Sequence, residues 1–138
     1  MRTFFWPGQP RGQGRPRFNG RTAYKTSEDK AHEQSIRMAY WAKYTGEKPM
    51  GGALGVKLVA VYPIPQSRSK KDRQLMAERK IPPTCKPDLD NIFKAVLDAL
   101  NGVAFEDDKQ VVELSGEKVY GEVPGLMITI WDTLWEGD

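Results

Sequence analysis

Carboxylates cluster around one predicted helix start in this sequence. Asp88 and Asp90 stand at the beginning of a segment whose apolar residues recur every three or four positions, which is typical of a helix with one buried face. Pro87 disfavours helical backbone at the residue before it, and aspartate is a favoured N-cap. We therefore predict a helix over Leu89–Leu100 with Asp88 as its cap.

The two aspartates can face the same side only if one of them lies outside the helix, because residues two apart in a helix diverge by about 200°. With Asp88 as the cap, both carboxylates can turn towards the positive end of the helix dipole, which also attracts phosphate. The chain from Leu100 to Asp108 can extend about 26 Å, far enough for Asp108 to return beside Asp90. Three such carboxylates can hold a hard cation, most simply Mg²⁺.

The acidic run after the helix leaves the third carboxylate open. Asp107 could take the place of Asp108, and Glu106 could take part, because a loop does not fix the direction of its side chains. Asp98, two helical turns beyond the cap, is interpreted as a surface residue despite its charge.

Lys94 follows Asp90 by one helical turn and lies on the same side. It could reach a phosphate oxygen or the leaving group while staying near the cation that phosphodiester hydrolysis uses. The alternative is a surface ion pair between Lys94 and Asp90, contributing about 0.3 to 0.5 kcal/mol. Spacing alone favours the ion pair.

Basic and acidic residues are unevenly distributed along the chain. Residues 1–87 contain 18 Lys and Arg against 6 Asp and Glu, whereas residues 88–138 contain 3 against 12. The net charge of +3 hides this asymmetry. It suits a protein that binds a polyanion with one part and a metal with the other, although two solvated surfaces of unlike charge are the alternative.

Two basic segments precede the acidic motif. The first, an arm at about 9–25, is expected to be mobile without a partner and to contact DNA phosphates, with Phe18 and Tyr24 available to stack on unpaired bases. The second is a predicted short helix around Asp72–Arg79 in the segment 66–80. Their candidate DNA-binding residues are Arg11, Arg15, Arg17, Arg21, Lys70, Lys71 and Arg73. A disordered tail and a solvated helix are the respective alternatives.

The remaining elements predict an α+β fold. A second helix should begin at Ser27, and the predicted strands are Thr3–Trp6, Leu54–Tyr62, Gln110–Tyr120 and Leu126–Trp131. Strands and helices in this order indicate one domain over residues 1–138, with a small mixed sheet packed with helices.

Cysteine and histidine are scarce. The single cysteine, Cys85, cannot form an internal disulfide and fits a reducing cytoplasm, and the single histidine, His32, makes a zinc site or a histidine-centred triad improbable. No stretch is apolar enough for a membrane span, and the N-terminal apolar run is too short for a signal peptide.

The central motif resembles that of a known family. The runs 86–91 (KPDLDN), 94–102 (KAVLDALNG), 107–108 (DD) and 110–112 (QVV) closely resemble the RusA family of Holliday-junction resolvases. The resemblance extends to residues 10–24 and 67–71, and so covers most of the chain.

The resemblance implies specific roles and partners. In that family the aspartates corresponding to Asp88, Asp90 and Asp108 bind the metal, Mg²⁺ with Mn²⁺ as an alternative, and the lysine corresponding to Lys94 is needed for cleavage. Asn91 matches the motif and is assigned a supporting DNA-binding role. The resemblance also implies a homodimer acting on four-way DNA in the cytoplasm of bacteria, encoded by the cell or by a phage.

Three functions therefore compete. The first is a Mg²⁺-dependent endonuclease that resolves Holliday junctions in DNA recombination and repair. The second is a non-catalytic branched-DNA-binding module whose aspartates are structural caps. The third is a broader nuclease of flaps and branched DNA.

Overall fold

The fold combines helices with a sheet that contains both parallel and antiparallel strand pairs. The computed structural model describes residues 1–13 and 17–133. The strands are β1 (Arg2–Pro7), β2 (Arg17–Asn19), β3 (Thr22–Tyr24), β4 (Leu54–Pro63), β5 (Val111–Gly121) and β6 (Gly125–Asp132). The helices are α1 (Ser27–Tyr44), α2 (Lys70–Ala77) and α3 (Leu89–Leu100), and a 3₁₀ turn spans Asp108–Gln110. This mixture confirms the predicted α+β class.

The main sheet has the strand order β1-β6-β4-β5. β4 is antiparallel to β6 and parallel to β5, so it is an internal strand of the sheet. Leu54, Val56, Leu58 and Ala60 are fully buried on one face of β4, because side chains alternate between the faces of a strand. β5 and β6 follow each other in the chain but do not pair, so the loop between them crosses the end of β4.

Helix α3 packs on the sheet through the face predicted from its apolar spacing. Ile92, Val96 and Leu100 are fully buried. In β5, Gly116 leaves room for the Phe93 ring, since a Cβ at this glycine would lie 2.7 Å from ring atoms. The 3₁₀ turn leads directly into β5, so this close approach also sets the position of the acidic run relative to α3.

The basic arm is joined to the rest of the fold near its start. The Gly8 amide donates to the Pro124 carbonyl at 3.1 Å, and the Gln13 amide donates to the Asn91 carbonyl at 3.2 Å. A Cβ at Gly12 would lie 2.8 Å from the Asn91 Cβ, so only a glycine can approach α3 this closely. Beyond this contact β2 and β3 form an antiparallel hairpin that the sequence did not predict. Gly14, Arg15 and Pro16 lie outside the described residues, and the mobility of the arm stays a prediction.

Helix α2 begins earlier than the sequence predicts. Ser69 is its N-cap, and the Ser69 hydroxyl accepts from the Asp72 amide at 3.1 Å. The helix therefore includes Lys70 and Lys71 in its first turn. Within residues 1–13 and 17–133, no helix has the length and apolar content needed to cross a membrane.

Candidate active site

Asp88, at the start of α3, makes no side-chain capping hydrogen bond. It occupies the N-cap position with extended backbone (φ −69°, ψ 149°). The carboxylate is exposed at the positive end of the helix dipole. It is therefore available to a cation or another ligand, as a purely structural cap would not be.

Two side chains from the sheet hydrogen-bond to the loop before Asp88. The Tyr62 hydroxyl donates to the Pro87 carbonyl at 2.8 Å, and the Lys118 ammonium donates to the Cys85 carbonyl at 2.6 Å. Burial, together with the nearby Cys85 and Asp88, raises the pKa of Tyr62 to about 12. The hydroxyl thus remains protonated, and a donor, at neutral pH.

A cleft of about 390 Å³ runs along α3 and faces the acidic run. Its lining is Asp90, Phe93, Lys94, Leu97, Asp98, Asp108 and Leu114. The structure therefore brings Asp90, Lys94 and Asp108 to one cavity, while Asp88 is not part of the lining formed by the described residues. Positions 90, 94 and 98 recur every four residues, so they share one face of the helix.

Lys94 is not tied up in a surface ion pair. Across residues 1–13 and 17–133, no carboxylate lies within 4.0 Å of its ammonium, Asp90 included. The ion pair that spacing alone favoured is thus not formed. The Lys94 charge faces the cleft and can meet an anion there.

Asp107 and Asp108 lie in different environments. Asp107 caps the 3₁₀ turn, where it accepts from the Lys109 amide at 2.9 Å while its own amide donates to Gln110 at 3.0 Å. That hydrogen bond from Lys109 lowers the pKa of Asp107. Asp108 instead lines the cleft, where burial and the Asp107 and Asp98 carboxylates raise the pKa of Asp108. The geometry therefore favours Asp108 as the partner of Asp90, and its role as a ligand stays a prediction.

Asp98 differs from the surface residue that the sequence predicted. It lines the cleft, and its carboxylate lies 3.3 Å from the ammonium of Lys25, which also contacts Glu33 on α1. The shared helical face of Asp90 and Asp98 was the available signal. Nothing local in the sequence indicates Lys25.

A Mg²⁺ ion fits the donors of this cleft as a hydrated ion. No three Asp, Glu, His or Cys side chains lie close enough to form a metal cage among the residues that the structure describes. Mg²⁺ usually keeps several waters and binds through one or two carboxylates plus substrate phosphates, which Asp90 and Asp108 can supply. The uncommitted carboxylate of Asp88 stands at the adjacent helix end.

Comparison with known proteins identifies the family of this chain. The family model described as endodeoxyribonuclease RusA matches residues 7–131. The chain belongs to the RusA endodeoxyribonuclease family. A relative from Bacillus subtilis (strain 168), called uncharacterized protein YqaN, is 33% identical over 128 residues, which are 89% of this chain and 90% of that protein. The whole cleft lies within the part matched to the RusA model.

The candidate DNA-binding residues of this RusA-family chain differ in their surroundings. Arg11 turns to α1, 2.9 Å from Asp29 and 3.8 Å from Glu28. Arg17 and Arg21 lie on the exposed β2–β3 hairpin, and Lys70 and Lys71 are exposed on α2.

Two further candidate DNA-binding residues make hydrogen bonds within the protein. Arg73 donates to the Gln66 side chain at 3.2 Å, and the Asn91 backbone carbonyl accepts from Gln13. Arg15 lies outside the described residues. The roles assigned to all of these residues stay predictions.

His32 is buried on α1. The residue is 7% exposed, and its ring meets the Trp6 ring edge-on, with centroids 5.0 Å apart. Burial, together with the charge of Arg11, lowers the pKa of His32. It lies outside the cleft lining and belongs to the packing between α1 and β1.

Proposed function

We propose that this protein is a homodimeric, Mg²⁺-dependent endodeoxyribonuclease that resolves four-way DNA junctions in recombination and repair. The observation that carries the proposal is the single cleft in which Asp90, Lys94 and Asp108 meet, in a chain of the RusA family. A module that only bound DNA would gain nothing from carboxylates beside this lysine, because carboxylates repel phosphate. The relative from Bacillus subtilis supports a bacterial or phage setting. The proposal includes a cytoplasmic location.

The carboxylates and Lys94 would have different roles in hydrolysis. Asp90 and Asp108, with Asp88 from the helix end, would hold the metal. When bound, Mg²⁺ would polarise the phosphate and lower the pKa of a water. Lys94 would bind a phosphate oxygen or offset charge on the leaving group, because it lies on the same helix face as Asp90. The amides at the start of α3 favour a phosphate in this place.

The exposed hairpin and α2 would bind the DNA backbone. Four exposed basic side chains on these elements can contact DNA phosphates, namely Arg17, Arg21, Lys70 and Lys71. Phe18 is 71% exposed on the hairpin, next to Arg17. A ring presented in this way can stack on a base that is unpaired at the centre of a junction.

A homodimer accounts for paired cuts. A four-way junction is resolved by two cuts, and two copies of one chain related by a two-fold axis would supply two identical sites. The resemblance to the RusA family supports this assembly.

Cleavage of a synthetic four-way junction tests the proposal. Wild type, Asp90→Asn and a matched control, Glu122→Gln in the exposed β5–β6 loop, are incubated with the junction or with linear duplex, in Mg²⁺ or EDTA, at fixed salt. We expect paired symmetric nicks in the junction only, from wild type and Glu122→Gln, and at least about a hundredfold less from Asp90→Asn. Junction binding by Asp90→Asn should persist.

Two outcomes would overturn the proposal. Tight junction binding by wild type with no cutting in Mg²⁺ or Mn²⁺ indicates the binding module. Equal cutting of flaps, replication forks and four-way junctions indicates a nuclease of broader structural selectivity.

A further inference from the structure

Lys25 links the basic hairpin to both large helices. It follows β3 directly and precedes Thr26, the N-cap of α1. Its ammonium contacts the Glu33 carboxylate on α1 and lies 3.3 Å from the Asp98 carboxylate on α3. The Asp98 side chain is 27% exposed, so this ion pair is partly withdrawn from water.

Asp98 has a second cation within reach along its own helix. Lys94 lies four residues earlier, and both side chains line the cleft. Opposite charges at this spacing normally attract each other. Yet no Lys94–Asp98 pair within 4.0 Å occurs in the described chain, and Asp98 is paired with Lys25 instead. The choice of partner for Asp98 therefore decides whether the Lys94 charge remains open to the cleft.

We propose that Lys25 is a positioning residue that holds Asp98 away from Lys94 and so keeps the Lys94 ammonium available to an anion in the cleft. Without the Lys25 charge, the Asp98 carboxylate turns to Lys94 and neutralises it. Glu33 keeps a cation in that case, because Arg37 lies 3.9 Å from it. Only the last step, that the anion is a DNA phosphate, rests on the proposed function.

A double-mutant cycle on cleavage separates this role from a general structural one. At saturating junction we expect Lys25→Met to lower the single-turnover rate about tenfold. The same substitution added to Asp98→Asn should change the rate less than twofold, because the competing carboxylate is gone. Lys25→Arg keeps the charge and should behave as wild type. An equal loss from Lys25→Met in both backgrounds would overturn the inference.

A second measurement does not need cleavage. Competitive acetylation of free amines, read by mass spectrometry, compares Lys94 with the exposed Lys48 in each variant. We expect Lys25→Met to reduce labelling of Lys94 several-fold, since an ion pair with Asp98 favours the protonated ammonium and only the neutral amine reacts. Asp98→Asn should restore the labelling in the double variant. The matched control Lys30→Met removes an exposed charge from α1 and should leave Lys94 labelling unchanged.

The two measurements distinguish the two claims. Labelling of Lys94 that does not respond to Lys25→Met refutes the role of Lys25, whatever the protein cuts. The expected labelling pattern together with no junction cleavage by wild type would refute the proposed function and leave Lys25 as a positioning residue. If thermal melting shows that Lys25→Met is unfolded, Lys25→Gln replaces it, because glutamine removes the charge but keeps a polar side chain.

Discussion

Asp108 occupies a place that disfavours its charge in the metal-free protein. Burial and the carboxylates of Asp107 and Asp98 raise the pKa of Asp108, so its ionised form is less favourable in the folded than in the unfolded chain. The resulting loss of stability begins as the pH rises through the ordinary aspartate range and is complete above the pKa of Asp108 in the folded chain. We expect Asp108→Asn to stabilise the protein against urea by under about 1 kcal/mol without divalent ions, because solvent screens the site.

Urea unfolding at pH 7.5 in EDTA, with Glu122→Gln as the control, measures this difference. If Mg²⁺ binds the cleft, millimolar Mg²⁺ should raise the unfolding midpoint of wild type more than that of Asp108→Asn. A lower midpoint for Asp108→Asn in EDTA would show that this carboxylate stabilises the free fold.

His32 makes the stability of the fold sensitive to mild acid. Because burial and Arg11 lower its pKa below the ordinary value of 6.5, the unfolded chain binds a proton that the folded chain resists. The contribution of His32 to stability is thus fully present above pH 6.5 and is lost as the pH falls through its folded pKa. We expect wild type to lose more stability between pH 7.5 and pH 5 than His32→Gln, measured by urea midpoints. Equal losses in the two proteins would show that other groups set the acid sensitivity.

At the scale of elements, the contact between α3 and β5 sets the shape of the cleft. A methyl group at Gly116 would meet the Phe93 ring at 2.7 Å and push the helix from the strand. We expect Gly116→Ala to destabilise the protein by about 1 to 3 kcal/mol and to slow cleavage, since Asp90 and Lys94 move relative to Asp108. Gly51→Ala, where a methyl group meets nothing within 4 Å, is the matched control. Urea unfolding and single-turnover cleavage rates are measured for both variants. An unchanged cleavage rate in folded Gly116→Ala would show that the contact between α3 and β5 does not set the geometry of the cleft.

The elements differ in how far the sequence predicts them. The bounds of α3 follow from local signals, namely an apolar period and marked ends, and the structure has the same Leu89–Leu100. The β2–β3 hairpin was not predicted, because its residues are exposed and carry no alternating apolar pattern. The Lys25–Asp98 pair joins residues 73 positions apart, and no local pattern encodes such a contact. The residues along α3 and the return of Asp108 were thus predictable from the sequence, whereas the pairing of Asp98 with Lys25 was not.

At the scale of the whole molecule, the basic first part of the chain contacts the acidic second part beside the cleft, where Lys25 pairs with Asp98. The hairpin is the most exposed basic element, with Arg17 and Arg21 bound to no carboxylate within 4.0 Å in the described residues. If each contacts one phosphate, the double variant Arg17→Gln/Arg21→Gln should bind a junction more weakly. The slope of log affinity against log salt should also fall by about 0.9 per lost contact. Fluorescence anisotropy at several salt concentrations measures both quantities, with Lys48→Gln as the control. An unchanged slope would place the hairpin away from the DNA backbone and leave α2 as the basic surface that binds it.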